Sequence, residues 1–552
     1  MSSRAEVAAR SSLRLPNGVA PHLQGLSDHV HVPATLPRKW HFYPAMALAG
    51  WVWSVTPTSW IILLAALYRR CTGLDKHSNW LAWGLGASSS SPLIGKFFYY
   101  YSFLEVPFSI YLFLLTRKAN RRTPPPKVDN KTLEDLMVQC LDVGLAAHPP
   151  RRRGAGKHAQ DDSKFETHTV SDQEAAVAWK RLMRWFYFED PNEIKADNVR
   201  QWLAWAFAGR ELEECKGDKD LEYIIERAFN LVQARLKHTF APGFNTSMKT
   251  LRLTLDPVAT RSRPLGYYAV CNGVTGATKA WLRHSHGFRY EQVGDCAFLV
   301  KDAVSKAYSA NGVNGVNGKS HSKPLPILFL HGLGIGLGQY AAFLKYLARY
   351  EHGVYILLQP NISADIWHKH YLDAPNKDQH IASVKALAKR HKIESFQVLS
   401  HSNGTMVTGW VARGAPELCK KHVIVDPVSF RLWEGATCYA FIARPWATGV
   451  EVLLGYFVAR ELGIAHTIAR RFIWSDMLLW VHDLPEKLTP DNVQLVFGER
   501  DMLLDVPASV DYLRSAGVPA ECIHVLPNYQ HGKALFIDAK GMHIALHALG
   551  ME

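Results

Sequence analysis

The chain has 552 residues, too many for one compact core, so a large domain with additions is expected. Hydrophobic residues make up 48% and charged residues 20%, which excludes wholesale disorder. The net charge of +14 admits nucleic acid or an anionic membrane surface as a partner, but no zinc-finger spacing, RNP-like aromatic motif or basic helix repeat accompanies it, so no nucleic acid is expected.

Residues 1–40 are polar and rich in Ser, Arg and Pro, without the apolar core of a secretory signal. Arg4, Arg10 and Arg14, with few acids nearby, leave a transit-peptide reading open. Residues 41–119 hold two apolar runs. "FYPAMALAGWVWSVTPTSWIILLAALY" (42–68) has no charged residue and is bracketed by Arg38/Lys39 and Arg69/Arg70. Roughly 20 apolar residues span a bilayer core, and Trp and Tyr favour its interfaces. "FFYYYSFLEVPFSIYLFLLT" (97–116) is followed by Arg117, Lys118, Arg121 and Arg122. These predict a transmembrane hairpin, with the bulk of the chain on the cytoplasmic side by its basic flank. Glu105 lies inside the second run, where a carboxylate should face the partner helix, be protonated or mark a shallow insertion. The alternative is a pair of core helices in a soluble protein.

Residues 120–170 ("RRTPPPK", "PPRRRGAGKH") read as a basic, Pro-rich linker able to touch anionic headgroups. Residues 171–250 place apolar side chains at helical spacing in "EAAVAWKRLMRWFYF", "ADNVRQWLAWAFAG" and "DLEYIIERAFNLVQARL". From 251 a larger domain begins. "RPLGYYAVCNGVTGATKAWL" predicts an interfacial or buried helix and "FRYEQVGDCAFLVKD" a strand pair. "SANGVNGVNGKSHSKP" (309–324) reads as a low-complexity loop. From 325 onward strand-like and helix-like runs alternate, the pattern of a parallel α/β sheet. The 8 cysteines form no C-x-x-C pair and predict reduced structural thiols. The pairs His284/His286 and His368/His370 lack further ligands at metal-like spacing, so neither a metal nor a cofactor is expected.

Three stretches of the last half carry chemistry. "PILFLHGLGIGLGQY" is a strand ending at His331, Gly332 and Gly334 in an H-G-x-G turn. It matches neither a Walker loop nor a dinucleotide fingerprint, and suits backbone amides left free to face an oxyanion. "FQVLSHSNGTMVTGW" (396–410) is a strand, a sharp turn and a helix. A nucleophile in such a turn needs small residues two places to either side, and Ser402 has Ser400 and Gly404 there. Ser400 stands where Gly is commoner. An acid and then a histidine should follow, each beyond a strand's C-terminal end. Asp501 after "NVQLVFG" and His531 after "ECIHVL" meet that order, with Asp426, Asp505 and Glu499 as competing acids and His524 as the competing histidine.

This set resembles the α/β-hydrolase superfamily over about 250–552, and most firmly over 325–552. The resemblance implies a mostly parallel sheet with helices on both faces and an acyl-enzyme mechanism. His531 would deprotonate Ser402, Asp501 would hold the imidazole, and the amides of Asn403 and Leu333 would bind the oxyanion. Ser402 argues against relatives whose nucleophile is an Asp, the dehalogenases and epoxide hydrolases. The aromatic-rich insertion 428–488 resembles a helical cap, which with the hairpin points to a lipid-like or other hydrophobic ester. The layout also resembles fungal membrane-anchored hydrolases. An acyltransferase using the same Ser402, and a non-catalytic membrane scaffold, are the competing readings.

Overall fold

The computed structural model describes residues 37–72, 92–125, 132–133, 135–137, 140, 170–188, 190–303 and 325–551. Most of the N-terminal polar segment, the basic linker and the Gly/Asn-rich loop lie outside the described residues.

Two long helices come first, α1 (Phe42–Thr72) and α2 (Leu93–Ala119). At 1.5 Å per residue they are about 46 and 40 Å long, enough to cross a hydrocarbon core of about 30 Å. Both are apolar enough to cross a membrane. Large side chains stand exposed along them, among them Trp51, Ile61, Tyr100 and Phe113. Glu105 nevertheless is fully buried. Its Oε1 accepts the Thr56 hydroxyl of α1 at 2.5 Å, and its Oε2 accepts Tyr101 Oη at 2.7 Å. A third donor comes from outside the hairpin, the Leu265 amide at 2.8 Å. The carboxylate thus faces the partner helix and also the main domain.

Helices α3 (Asp172–Trp185), α4 (Ala196–Ala208) and α5 (Lys219–Leu236) follow. Ser171 opens α3 with a reciprocal cap: its hydroxyl accepts the Glu174 amide at 3.2 Å, and Glu174 accepts the Ser171 amide at 2.7 Å. Trp179, Trp185 and Trp205 of α3 and α4 are buried in one continuous core with Trp474, Leu478 and Trp480 from beyond the sixth strand.

Helix α6 (Leu265–His286) leads into the sheet: β1 (Arg289–Val293), β2 (Cys296–Lys301), β3 (Ile327–Leu330), β4 (Val354–Leu358), β5 (Phe396–His401), β6 (Cys419–Val425), β7 (Val493–Gly498) and β8 (Ile523–Leu526). The order is β1-β2-β4-β3-β5-β6-β7-β8. β1 pairs antiparallel with β2, and β2 antiparallel with β4; every later pairing is parallel. The central strands β3 and β5 are buried along their whole length, as a parallel sheet covered by helices on both faces requires; β3 is apolar throughout, while β5 also carries Gln397, Ser400 and His401. The covering helices include α7 (Ala341–Leu347), α8 (Lys377–Arg390), α9 (Gly404–Gly414), α12 (Val506–Ser515) and α13 (Ala539–Ala548). Between β6 and β7 the chain leaves the sheet and builds α10 (Gly449–Leu453), continued by a π turn over Leu454–Ala459, and α11 (Leu462–Arg470). This is the α/β-hydrolase fold, preceded by an apolar helical hairpin.

The hairpin is seated on the domain at one end. Phe42, Ala45 and Ala49 of α1 pack with Val452 and Tyr456 beyond the sixth strand. Phe108, Leu112 and Ala119 of α2 pack with Tyr268 and Cys271 of α6 and Leu462 of α11.

Candidate active site

The turn after β5 is where the backbone leaves ordinary conformations. Ser402 has φ of +51°, unusual for a residue with a side chain. Its amide donates to the Val425 carbonyl at 3.0 Å, and its carbonyl accepts from Thr405 at 2.9 Å, so neighbours on both sides hold the strained geometry. Gly404 begins α9 under a tight constraint: a Cβ there would lie 2.1 Å from the Leu330 carbonyl oxygen. Gly332 is similar, since its Cβ would come within 2.9 Å of the Ser402 Cβ. Ser400 occupies a fully buried strand position, and its hydroxyl has no hydrogen-bond partner among the described residues.

Ser402 Oγ lies 2.8 Å from His531 Nε2. His531 Nδ1 lies 2.6 Å from Asp501 Oδ2. The other oxygen of Asp501 accepts the amides of Leu503 at 2.8 Å and Leu504 at 3.2 Å, which fixes the carboxylate against the ring. Burial by itself would lower the affinity of His531 for a proton. The charge and hydrogen bond of Asp501, joined by the charge of Asp426, outweigh burial and raise its pKa to about 9.

The competing residues are engaged elsewhere. Asp505 caps α12 through the Ala508 amide at 3.3 Å and pairs with Arg184 at 3.0 Å. Glu499 accepts the Asn528 amide at 2.8 Å, and His524 Nε2 meets Gln494 Oε1. Asp426 is buried close to His531 but accepts two backbone amides and neither nitrogen of the His531 ring.

In the turn after β3, the Gly332 amide donates to Tyr340 Oη at 2.8 Å and the Gly334 amide to the Ile362 carbonyl at 3.0 Å. Gln339 Nε2 donates to the Leu333 carbonyl at 3.0 Å. The amides of Leu333 and Asn403 have no hydrogen bond among the described residues. His331 is buried, and burial pushes its pKa down to about 4. Its Nδ1 faces the Gly332 carbonyl at 2.9 Å, so the neutral ring carries its proton there and steadies the turn. Tyr340, Gln339 and His401 escaped the sequence reading. Their role depends on hydroxyl, amide and ring atoms meeting backbone across the sheet, and no local spacing marks that.

Among the described residues one group has ligand atoms grouped as a metal ion would need: Asp426, Asp501 and His531, within 4.8 Å of one another. All three already serve hydrogen bonds within the protein. Geometrically the site can form an alkoxide-like nucleophile and bind a developing oxyanion.

No protein-family model matches the chain, and no curated protein does. Among solved structures it is similar to a membrane phospholipase A described as a bacterial virulence factor, at 16% identity, covering 51% of this chain and 96% of that one, with a TM-score of 0.33. A putative lipase from Acinetobacter baumannii matches at 12% identity over 52% and 95% of the two chains, with a TM-score of 0.33. Carboxylesterase CesB from Bacillus subtilis matches at 10% identity over 52% and 99%, with a TM-score of 0.31.

Proposed function

We propose that the chain is a membrane-anchored serine hydrolase that cleaves an ester with an apolar acyl or alcohol part. The observation that carries this reading is the unbroken contact from Ser402 Oγ through His531 to Asp501, at 2.8 and 2.6 Å, on a residue whose φ is +51°. In its neutral form His531 takes the Ser402 proton as Oγ attacks the acyl carbonyl. Asp501 holds the ring and balances the imidazolium that forms. The oxyanion sits against the amides of Asn403 and Leu333, with His331, Gly332 and Gly334 shaping that loop. The alcohol leaves with the proton from His531. Water then attacks the acyl-enzyme, giving its proton to His531, and the acid departs as His531 returns that proton to Ser402 Oγ. No cofactor enters these steps.

The insertion 428–488 acts as the cap, and its aromatic residues favour a lipid-like ester. The exposed apolar shell of α1 and α2 supports integral membrane association, since apolar surface of that extent is costly in water. Arg117, Lys118, Arg121 and Arg122 support a cytoplasmic position for the catalytic domain. Labelling the membrane fraction with a fluorophosphonate probe tests the reading. Wild type is expected to take label at Ser402, and Ser402→Ala to lose it. Well-folded wild type that stays unlabelled would sink the proposal and move the scaffold reading ahead.

Acyl transfer, with an alcohol in place of water at the same Ser402, is the second reading. Supplying an alcohol acceptor separates the two, because a transferase converts labelled acyl ester to a new ester in place of free acid.

A further inference from the structure

Asp426 is not the partner of His531, yet its place in the fold is costly. The side chain is 1% exposed and the residue has φ of +46°. A buried carboxylate on a left-handed backbone persists only where its surroundings require it. Its Oδ1 accepts the amide of Gly498 at 3.1 Å, at the end of β7 and three residues before Asp501. Its Oδ2 accepts the amide of Gly532 at 2.7 Å, directly after His531. The same oxygen lies 3.6 Å from Nε2 of His401, directly before Ser402. Nδ1 of His401 lies 2.7 Å from Tyr340 Oη. Tyr340 Oη in turn accepts the Gly332 amide at 2.8 Å, directly before Leu333.

The proton positions follow from these contacts. Tyr340 Oη accepts from Gly332, so its own hydrogen points to His401 Nδ1. Burial holds the pKa of His401 below its ordinary value, so the ring is neutral with its hydrogen on Nε2, facing Asp426. One set of polar groups, hydrogen-bonded except across the 3.6 Å approach of His401 Nε2 to Asp426, therefore reaches the acid loop, the histidine loop, the nucleophile turn and the oxyanion turn. We propose that Asp426, His401 and Tyr340 are positioning residues that hold these four segments in register and keep a second negative charge against His531. This rests on the serine hydrolase reading of the site.

An asparagine at 426 tolerates the same backbone conformation, but it offers one oxygen to two amides and carries no charge. The groups facing His531 are Asp501, Asp426 and His401, so removing the Asp426 charge alters its proton affinity, which a purely structural role would leave alone. The test uses the full chain in detergent, with fluorophosphonate labelling and p-nitrophenyl ester hydrolysis followed across pH. Asp426→Asn is expected to lower kcat about tenfold and to move the acidic limb of kcat/KM down by about one pH unit, the scale of one charge at short range. Tyr340→Phe is expected to lower kcat about tenfold with KM within about twofold and the limb in place, because a loosened oxyanion turn costs part of what a lost donor does. Asp426→Asn that melts like wild type and keeps the limb overturns the inference. Should Asp426→Asn fail to fold, Tyr340→Phe decides, and a wild-type kcat there overturns it. Wild type that takes no label removes the hydrolase reading and this one together, whereas labelled wild type with unchanged variants removes this one alone.

Discussion

At the scale of single residues, the proposed mechanism makes His531 the proton carrier, and its protonation then sets the pH at which the site can work. Only neutral His531 can accept the Ser402 proton, and the Asp501 and Asp426 charges raise its pKa to about 9 against the opposing effect of burial. A raised value means that the ring is largely protonated at pH 7 and gains the competent form as pH rises. We expect kcat/KM to climb through an apparent pKa near 9, well above the usual value of about 6.5 for histidine. A pH–rate profile already flat at pH 7 would contradict that account of His531. Ser402, His531 and Asp501, which the structure brings within 2.8 and 2.6 Å of one another in turn, were legible as candidates because each lies just beyond a strand and carries its own chemistry. Asp426 was legible only as a rival acid. Its amide partners, Gly498 and Gly532, lie 72 and 106 residues away, and a glycine amide leaves no signature in composition. Ser400, which departs from the commoner small residue, occupies a fully buried strand position with its hydroxyl unpartnered among the described residues.

At the scale of elements, the accessory helix α3 is tied to the root of the insertion by buried charge. Glu434 is 1% exposed and takes Arg431 Nε at 3.0 Å, Arg181 Nε at 3.1 Å and Arg184 Nη1 at 3.3 Å. Arg184 also reaches Asp505, four residues past Asp501, at 3.0 Å. Burial would raise the Glu434 pKa, but the guanidiniums of Arg181, Arg431 and Arg184 outweigh it and hold the carboxyl below its ordinary value. A depressed pKa contributes stability that is complete above the unfolded value, near 4.3, and is lost as pH falls through the folded one. Glu434→Ala leaves three arginines without their buried counter-charge and is expected to cost about 3 kcal/mol. Thermal melts across pH check both points: the variant should melt lower at pH 7, and the gap to wild type should shrink in acid. A gap independent of pH would refute the electrostatic account. Helical periodicity reveals which face of α3 is apolar but not what covers it, so the core it shares with the insertion lay outside what spacing can tell. The alternation of strands and helices after residue 325 was readable, because period and length differ between the two. The π turn at Leu454–Ala459 was not, since its composition is that of any apolar helix.

At the scale of the whole molecule, the question is whether the hairpin is a detachable tether or a structural part of the α/β domain. The contacts favour the second. Phe42, Ala45 and Ala49 cover Val452 and Tyr456, and Phe108 and Leu112 cover Tyr268 and Leu462. Glu105 and Tyr101 also accept the first amides of α6, from Leu265 and Gly266, at 2.8 and 2.9 Å. The same helix reaches the oxyanion turn further along, where the Thr275 hydroxyl donates to the Ile335 carbonyl. Removing the hairpin would thus bare an apolar face, strip two helix-capping acceptors and loosen a brace on the turn that carries Leu333. Each capping bond is worth about 1 kcal/mol, and each bared apolar side chain about 1.5–3 kcal/mol, so the combined loss is comparable to the stability of a typical domain. Full-length protein is expected to stay in the pellet after carbonate extraction. A chain beginning at residue 121 is expected to be insoluble without detergent and to take fluorophosphonate label poorly even when detergent keeps it dispersed. A soluble truncation that labels at the wild-type rate would show the hairpin to be only a tether, and the path from Glu105 through α6 to the oxyanion turn would then carry no functional weight.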